Sequence, residues 1–364
     1  MNTIEKAIKY LSEPEAIRKV LNESLRTKDL EKPNVAVGAK TVKYQHIEFG
    51  NYELGDYSKE DGYAANDINL TWKTMELTQD KGNKLTLDKM DDEEAMANGI
   101  VMLGNRYHDK VVHPSMDRYR LGKLAKLTRS FVINKTFSAD SIMDDILLGK
   151  ARLEEMKIDT NALLLYITPE SKALLKSAAL KKGYWSVGNW NGNVDAEVEM
   201  FDKCKVVTVP ANYFGNAAVQ AILLHVDAAP AFVKYAETEY FDKVPGHGKR
   251  KAEVDIGIYH DSFVYEELER AVCLFLVSTT TTKTVTYAGG KIESASGESV
   301  SASGTAPTQD ATKPGASFVL KTNTFTMSGH TFAGWTDGSN VYKAGDTYYM
   351  PNANVTLTAR WVKA

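Results

Sequence analysis

"TMELTQDKGNKLTLDKMDDEEAMANGIVMLGNRYHDKVVHPSMDRYRLGKLA", residues 74–125, changes its hydrophobic rhythm part-way along. Its opening alternates apolar and polar positions through Leu85 and Leu87, the period of a half-exposed strand. A run of carboxylates follows, Asp88, Asp91, Asp92, Glu93 and Glu94, which suits the positive end of a helix dipole. Met96, Ile100, Leu103, Tyr107 and Val111 then recur at helical spacing. His113-Pro114 is expected to interrupt this helix before "SMDRYRLGKLAKL" resumes it, because proline lacks the N–H that a helix interior needs. A strand that feeds a long amphipathic helix predicts an α+β body.

Upstream, residues 41–86 read as short strands broken by Gly, Asp and Asn turns. They hold too few apolar residues for a core of their own, so the expectation is a long β-hairpin projecting from the body. Tyr52, Tyr57 and Tyr63 are its candidate contact residues. Residues 1–40 begin with an amphipathic helix, Ile4, Ala7, Ile8 and Leu11 interrupted by Glu5, Lys6 and Lys9, which is not the continuous apolar segment of an export signal. Ser12 and Glu15 fit a capping box, and Ile17, Val20, Leu21 and Leu25 form an apolar stripe expected to pack against another subunit. Residues 28–40 read as an extended arm.

Downstream, "SADSIMDDILLGKARLEEM" predicts a helix and "ALLLYIT" a buried strand. Thr168 is the expected N-cap of the next helix, with Pro169 in its first turn. Strands are expected in "VEMFDKCKVVTVP", "AVQAILLHV", "AEVDIGIYHD" and "RAVCLFLVS". "KVPGHGKRKAE", Lys243 to Glu253, is basic and Gly-rich with no evident strand leading into it, and reads as a flexible loop. The composition changes at Ser278–Thr282. From Thr282 to Ala364 the 83 residues carry seven Lys and Arg and five Asp and Glu, and become rich in Thr, Ser and Gly, which favours strands and turns. There Val355, Leu357, Ala359 and Trp361 alternate inward with Thr356, Thr358 and Arg360 outward.

Chemistry is hard to find in this chain. It has 364 residues, 43% of them hydrophobic and 25% charged, with a formal charge of −3. That balance gives no drive toward nucleic acid or membrane surfaces, and no apolar run approaches the roughly 20 residues of a membrane span. His108 and His113 lie five apart, off the spacing that pairs metal ligands on one helix face, and read as solvated helix residues. Cys204 and Cys273 sit in apolar strands and read as buried free thiols. Phosphate-binding, dinucleotide-binding and nucleophile-elbow motifs are absent. No catalytic residue, metal or cofactor is expected.

The order of these pieces resembles the major capsid proteins of tailed bacteriophages. Residues 74–125, with "VVHPSMDRYR" at their centre, look like the hairpin return strand and spine helix of that family. "LLLYITPESKALLK", "MFDKCKVVTVPANYF", "AILLHVDAAPAFVK" and "DIGIYHDSFVYEELERAVCLF" look like successive elements of its axial domain. The resemblance implies an N-terminal helix and arm at residues 1–40 and an extended hairpin at 41–86. It also implies peripheral and axial domains at 87–281. It implies self-assembly of pentamers and hexamers into a virion shell in the host cytoplasm, with a portal, a scaffolding protein and DNA packaged without sequence specificity as partners. Residues 282–364 resemble the internalin-type B repeat of bacterial surface proteins, through "TVTYAGG", "TFAGWTDG" and "YKAGDTYYMPNANVTLTARW". That likeness implies an all-β, immunoglobulin-like or β-grasp-like decoration domain with Phe332, Trp335, Tyr342 and Trp361 in its core. It would either bind glycan or mucus or act as a stabilising knob. A cellular nanocompartment shell and a bacterial adhesion protein are the alternative readings.

Overall fold

A computed structural model describes residues 25–32, 41–49, 68–88, 104, 106–182, 188–190, 193–195, 200–241, 251–293 and 299–363. The body begins with β1 (Thr41–Phe49), β2 (Ile68–Glu76), β3 (Gln79–Asp88) and α1 (His113–Leu124). It continues through β4 (Phe131–Asn134), α2 (Ile142–Glu155), β5 (Leu163–Ile167) and α3 (Pro169–Lys181). Short strands β6 (Gly188–Trp190), β7 (Asn193–Asp195) and β8 (Met200–Phe201) lead to β9 (Cys204–Thr208) and β10 (Val219–His225). The body closes with β11 (Ala231–Phe241), β12 (Lys251–Ser262) and β13 (Val272–Leu276).

The unbroken apolar runs of β5, β10 and β13 have the pattern of strands covered on both faces. They lie inside a six-stranded sheet of order β4-β13-β10-β5-β9-β8, in which β4/β13 and β5/β9 are parallel. Strand alternation divides the core between its two faces. Tyr166, Ile222, Leu224 and Leu274 pack on one side with Leu121 and Leu124 of α1. Leu165, Leu223, Cys273 and Phe275 pack on the other with Ile146 of α2 and Leu175 of α3. A Cβ at Gly149 would stand 2.6 Å from Phe275 Cζ, so the absence of a side chain lets α2 lie this close to the sheet. At the start of α3 the Thr168 hydroxyl accepts from the Ser171 amide at 3.3 Å, with Pro169 behind it as the sequence predicts.

A second sheet, β11-β12-β3, is antiparallel and packs against α1 through Val112, Met116, Val254, Ile256 and Ile258. Here the structure departs from the sequence reading in three places. The hairpin proper is β1 with β2, in register from Thr41↔Glu76 to Phe49↔Ile68, while β3 turns away and pairs with β12. The corner at Leu77-Thr78 makes the change, because Leu77 is buried and Thr78 is held by Asp261. The helix is also not interrupted at His113-Pro114: a π-helical turn, His108–Val112, runs straight into α1. The wider turn accommodates the missing proline N–H. The stretch 243–253, read as a loop, overlaps a strand, since β12 starts at Lys251; residues 243–250 lie outside the described residues. Met96, Ile100, Leu103 and the acids from Asp91 to Glu94 lie outside the described residues, while Asp88 ends β3.

Residues 285–363 add β14 (Val285–Ala288), β15 (Lys291–Glu293), β16 (Ser299–Ser301) and β17 (Ser317–Val319). They end with β18 (His330–Thr336), β19 (Val341–Tyr342), β20 (Thr347–Tyr349) and β21 (Val355–Lys363). A four-stranded sheet of order β14-β21-β18-β19 is flanked by the pairs β15/β16 and β17/β20. Val355, Leu357, Ala359 and Trp361 face its interior.

Candidate functional site

The β1/β2 hairpin has two unlike faces. Cross-strand partners share a face, which places Tyr44 with Lys73 on one side and Gln45 with Trp72 and Ile47 with Leu70 on the other. The first face rests on the body. Tyr44 meets Tyr265 edge-on at 4.9 Å, His46 pairs with Glu267, and Lys73 pairs with Glu266. The Lys73 ammonium donates to the Glu266 carboxylate and holds it below the usual carboxylate range. The second face displays Ile47, Leu70 and Trp72, which are 46%, 51% and 64% exposed. Three large apolar side chains thus form an exposed patch on one face of the hairpin.

The root of the hairpin is rigid. Asp261 is buried and accepts from Thr78 N and Thr78 Oγ1 at 2.9 Å, Tyr119 Oη at 2.8 Å, Lys123 Nζ at 3.0 Å and its neighbour Ser262 N at 2.7 Å. Burial alone would raise its pKa, but these donors outweigh it and keep the carboxylate ionised below its ordinary range. One side chain thus ties the corner after β2 to α1 and to the end of β12.

The segment before the hairpin is clasped in the same manner. Asp117 of α1 accepts from Arg26 N and Thr27 N at 3.0 Å and from Thr27 Oγ1 at 2.8 Å. Arg120 donates to Thr27 Oγ1 at 3.0 Å and to Glu31 at 2.9 Å, and Leu30 is fully buried. Residues 28–30, expected as part of an extended arm, therefore form a short 3-10 turn fixed to the body. Leu25 packs, partly buried, on the α1/β12 cluster of its own chain. Ile17, Val20, Leu21, Tyr52, Tyr57 and Tyr63 lie outside the described residues.

In the C-terminal unit Trp335 is fully buried, with Phe332 at 5.0 Å from it, and Phe332 also lies 6.0 Å from Trp361. The indole N–H groups of Trp335 and Trp361 donate to Lys321 O at 2.8 Å and Gly289 O at 2.7 Å. Tyr342 packs against the same cluster and also borders a seam with the body, 5.2 Å from Tyr348 and near the buried pair of Arg270 and Asp337. Arg270 donates to Asp337 at 3.0 Å, and Tyr348 Oη donates to the same carboxylate at 3.2 Å. Burial pushes Asp337 upward, but Arg270 and the Ser339 and Asn340 amides hold its pKa below the ordinary carboxylate value. Arg152 stacks over Tyr349 at 3.5 Å, and Gly315 lies so close to the body that a Cβ would stand 2.4 Å from Val132 O. The boundary segment is pinned as well, since Thr279 N donates to Asn134 Oδ1 at 2.9 Å. The unit expected to stand without help from the body shares a buried polar seam with it.

Two smaller expectations come out differently from each other. Cys204 and Cys273 are free and buried, and burial pushes their thiols up to about 11 and about 12, so they are unreactive at neutral pH. His108, read as solvated, is half-buried: it bonds Thr238 Oγ1 at 2.9 Å, and burial lowers its pKa. Among the described residues no His, Cys, Asp and Glu cluster could hold a metal, and no helix is long and apolar enough to cross a membrane. The exposed Ile47, Leu70 and Trp72 and the Arg270–Asp337 pair were not singled out from sequence. The first had a local signal, apolar residues at alternate positions in strands too poor in apolar residues to form a core, and the second had none, its members being 67 residues apart.

No family model matches this chain, and no curated protein matches it. Solved structures do. The capsid structure of the cyanophage P-SCSP1u superposes with a TM-score of 0.55 at 9% identity, over 70% of this chain and 88% of that one. The chain has a phage-capsid fold. A structure from Gordonia phage Cozz gives a TM-score of 0.51 at 10% identity, over 70% of this chain and 87% of the other. At these identities the capsid likeness is one of fold, in agreement with the α+β body read from the sequence.

Proposed function

We propose that this chain is the shell-forming major capsid protein of a tailed bacteriophage. The observation that carries the reading is the hairpin: a two-stranded ribbon, held to the body by one face, that turns Ile47, Leu70 and Trp72 to solvent. An isolated chain gains nothing from such a surface, whereas in a shell every hairpin has a neighbour to cover. The β11-β12-β3 sheet with α1 then corresponds to the peripheral domain, and the six-stranded sheet with α2 and α3 to the axial domain. Pentamers and hexamers assemble in the host cytoplasm around scaffold and portal, and the finished shell holds DNA without reading its sequence. Among the described residues nothing favours a nanocompartment shell over this.

The C-terminal unit fits the outer face of such a shell. Its buried seam supports the reading of a stabilising knob over that of a freely tethered adhesion module for glycan or mucus. Replacing residues 50–66 with a short turn tests the role of the hairpin. The variant is expected to remain folded and sediment as small species, while the full chain forms particles. Normal particles from the variant would remove the hairpin from assembly.

A further inference from the structure

The hairpin and the C-terminal unit share one short piece of the body. The 3-10 turn Glu266–Ala271 follows Tyr265, whose ring meets Tyr44 of β1, and it runs directly into β13 of the central sheet. Its first half serves the hairpin, since Glu266 pairs with Lys73 and Glu267 with His46. Its second half serves the seam. Arg270 donates to Asp337 at 3.0 Å, and its Cζ lies 4.5 Å from the centre of the Tyr348 ring. Arg129 stands beside both halves. Its backbone amide donates to the Glu269 carboxylate, and its charge acts on Glu266 as well as on Glu269. The guanidinium, however, is engaged by the C-terminal unit. Nη1 donates to Ser339 Oγ at 3.2 Å, and Nη2 lies so near Gly338 that a Cβ there would stand 2.8 Å away. Glu269 Oε2 is buried and has no hydrogen-bond partner.

We propose that the C-terminal unit controls how firmly its own chain holds the β1/β2 hairpin, with Arg129 as the switch between them. While the turn at 337–340 is docked, Ser339 and Gly338 keep the Arg129 guanidinium on the C-terminal unit. When that turn withdraws, the guanidinium moves to Glu269 Oε2, because a buried acceptor without a partner costs free energy that a charged donor recovers. Side chains at i and i+3 of a 3-10 turn eclipse, which places Glu266 on the same face as Glu269. The five donors of one guanidinium can serve both carboxylates and so compete with Lys73 for Glu266. The hairpin then loses a tie to the body. A two-stranded ribbon is marginal by itself, so its amides stay protected only while the body holds it. The inference concerns a single chain and is independent of the shell reading above.

Hydrogen exchange of the unassembled full-length chain tests this. Asp337→Asn keeps the shape of the side chain and weakens the hold of Arg270 on the 337–340 turn. It is expected to speed exchange across residues 41–49 and 68–76 about two- to fivefold, the scale of one partly exposed ion pair. Arg129→Met removes the competing cation and leaves hairpin exchange at the parental rate. In the double variant the 337–349 segment still exchanges faster, but the hairpin no longer responds. Coupling of this kind is reciprocal. Lys73→Met, which frees Glu266 for Arg129, is therefore expected to speed exchange in residues 337–342. Faster exchange confined to residues 337–349 in Asp337→Asn would overturn the coupling. An equal hairpin response with and without Arg129 would overturn the switch. Should Asp337→Asn unfold the C-terminal unit, Ser339→Ala releases Arg129 Nη1 alone and is read in the same way.

Discussion

His260 shows how much one buried side chain can govern. Its folded-state pKa is about 4 against an ordinary 6.5, because burial disfavours the cation and Arg120 and Lys81 add to that, while Asp261 opposes them. Above pH 6.5 both folded and unfolded chains carry a neutral imidazole, and the group contributes no pH dependence. Between pH 6.5 and 4 the unfolded chain takes up a proton that the folded one refuses, so stability falls as the pH is lowered. The slope approaches ~1.4 kcal/mol per pH unit, with an upper limit of ~3.4 kcal/mol across the window. Urea unfolding at several pH values should show this slope in the parent and lose it in His260→Gln. An unchanged slope in the variant would mean that other groups carry the acid sensitivity.

At the scale of elements, the clasp of Asp117 on residues 26–27 is the most exposed to test. Asp117→Ala removes the acceptor of two amides and a hydroxyl and leaves Arg120 beside a disordered network. The expected cost is about 3 kcal/mol. Trypsin should then cut after Arg26 and Lys28 well before the rest of the body, which the parent resists at those sites. Equal cleavage of both proteins would show the clasp to be dispensable. The elements differ in how openly the sequence announces them. Strands β5, β10 and β13 of the six-stranded sheet are evident because burial on both faces leaves unbroken apolar runs, and the α3 cap is evident because Thr168-Pro169 is a local signal. The departure of β3 from the hairpin is not, because its alternating pattern suits any half-exposed sheet and the partner β12 lies far along the chain. Nor is the π-turn before Pro114, since a proline reads as a break unless the preceding turn widens to receive it. The seam between body and C-terminal unit depends on pairs such as Arg270 with Asp337, which have no local signature at all.

For the whole molecule that seam has a consequence. Truncation after Val277, which composition alone suggests should be harmless, strips Arg270 of Asp337 and Tyr348 and uncovers Phe131 where Tyr349 lies against it. Uncovering apolar surface such as the Phe131 ring forfeits roughly 25 cal/mol per Å² of the area exposed. The truncated body is therefore expected to unfold at lower denaturant concentration than the full chain. A truncated body as stable as the full chain would show that the seam contributes nothing. The C-terminal unit, with its own aromatic cluster, thus completes the body as well as extending it.

The central claim is that many copies of this chain close into a shell. Electron microscopy of the purified full-length chain after expression tests it most directly. Uniform closed particles, with hexamers and pentamers visible in averaged images, are the predicted result. A chain that stays monomeric or dimeric at high concentration, with or without a scaffold co-expressed, would contradict it.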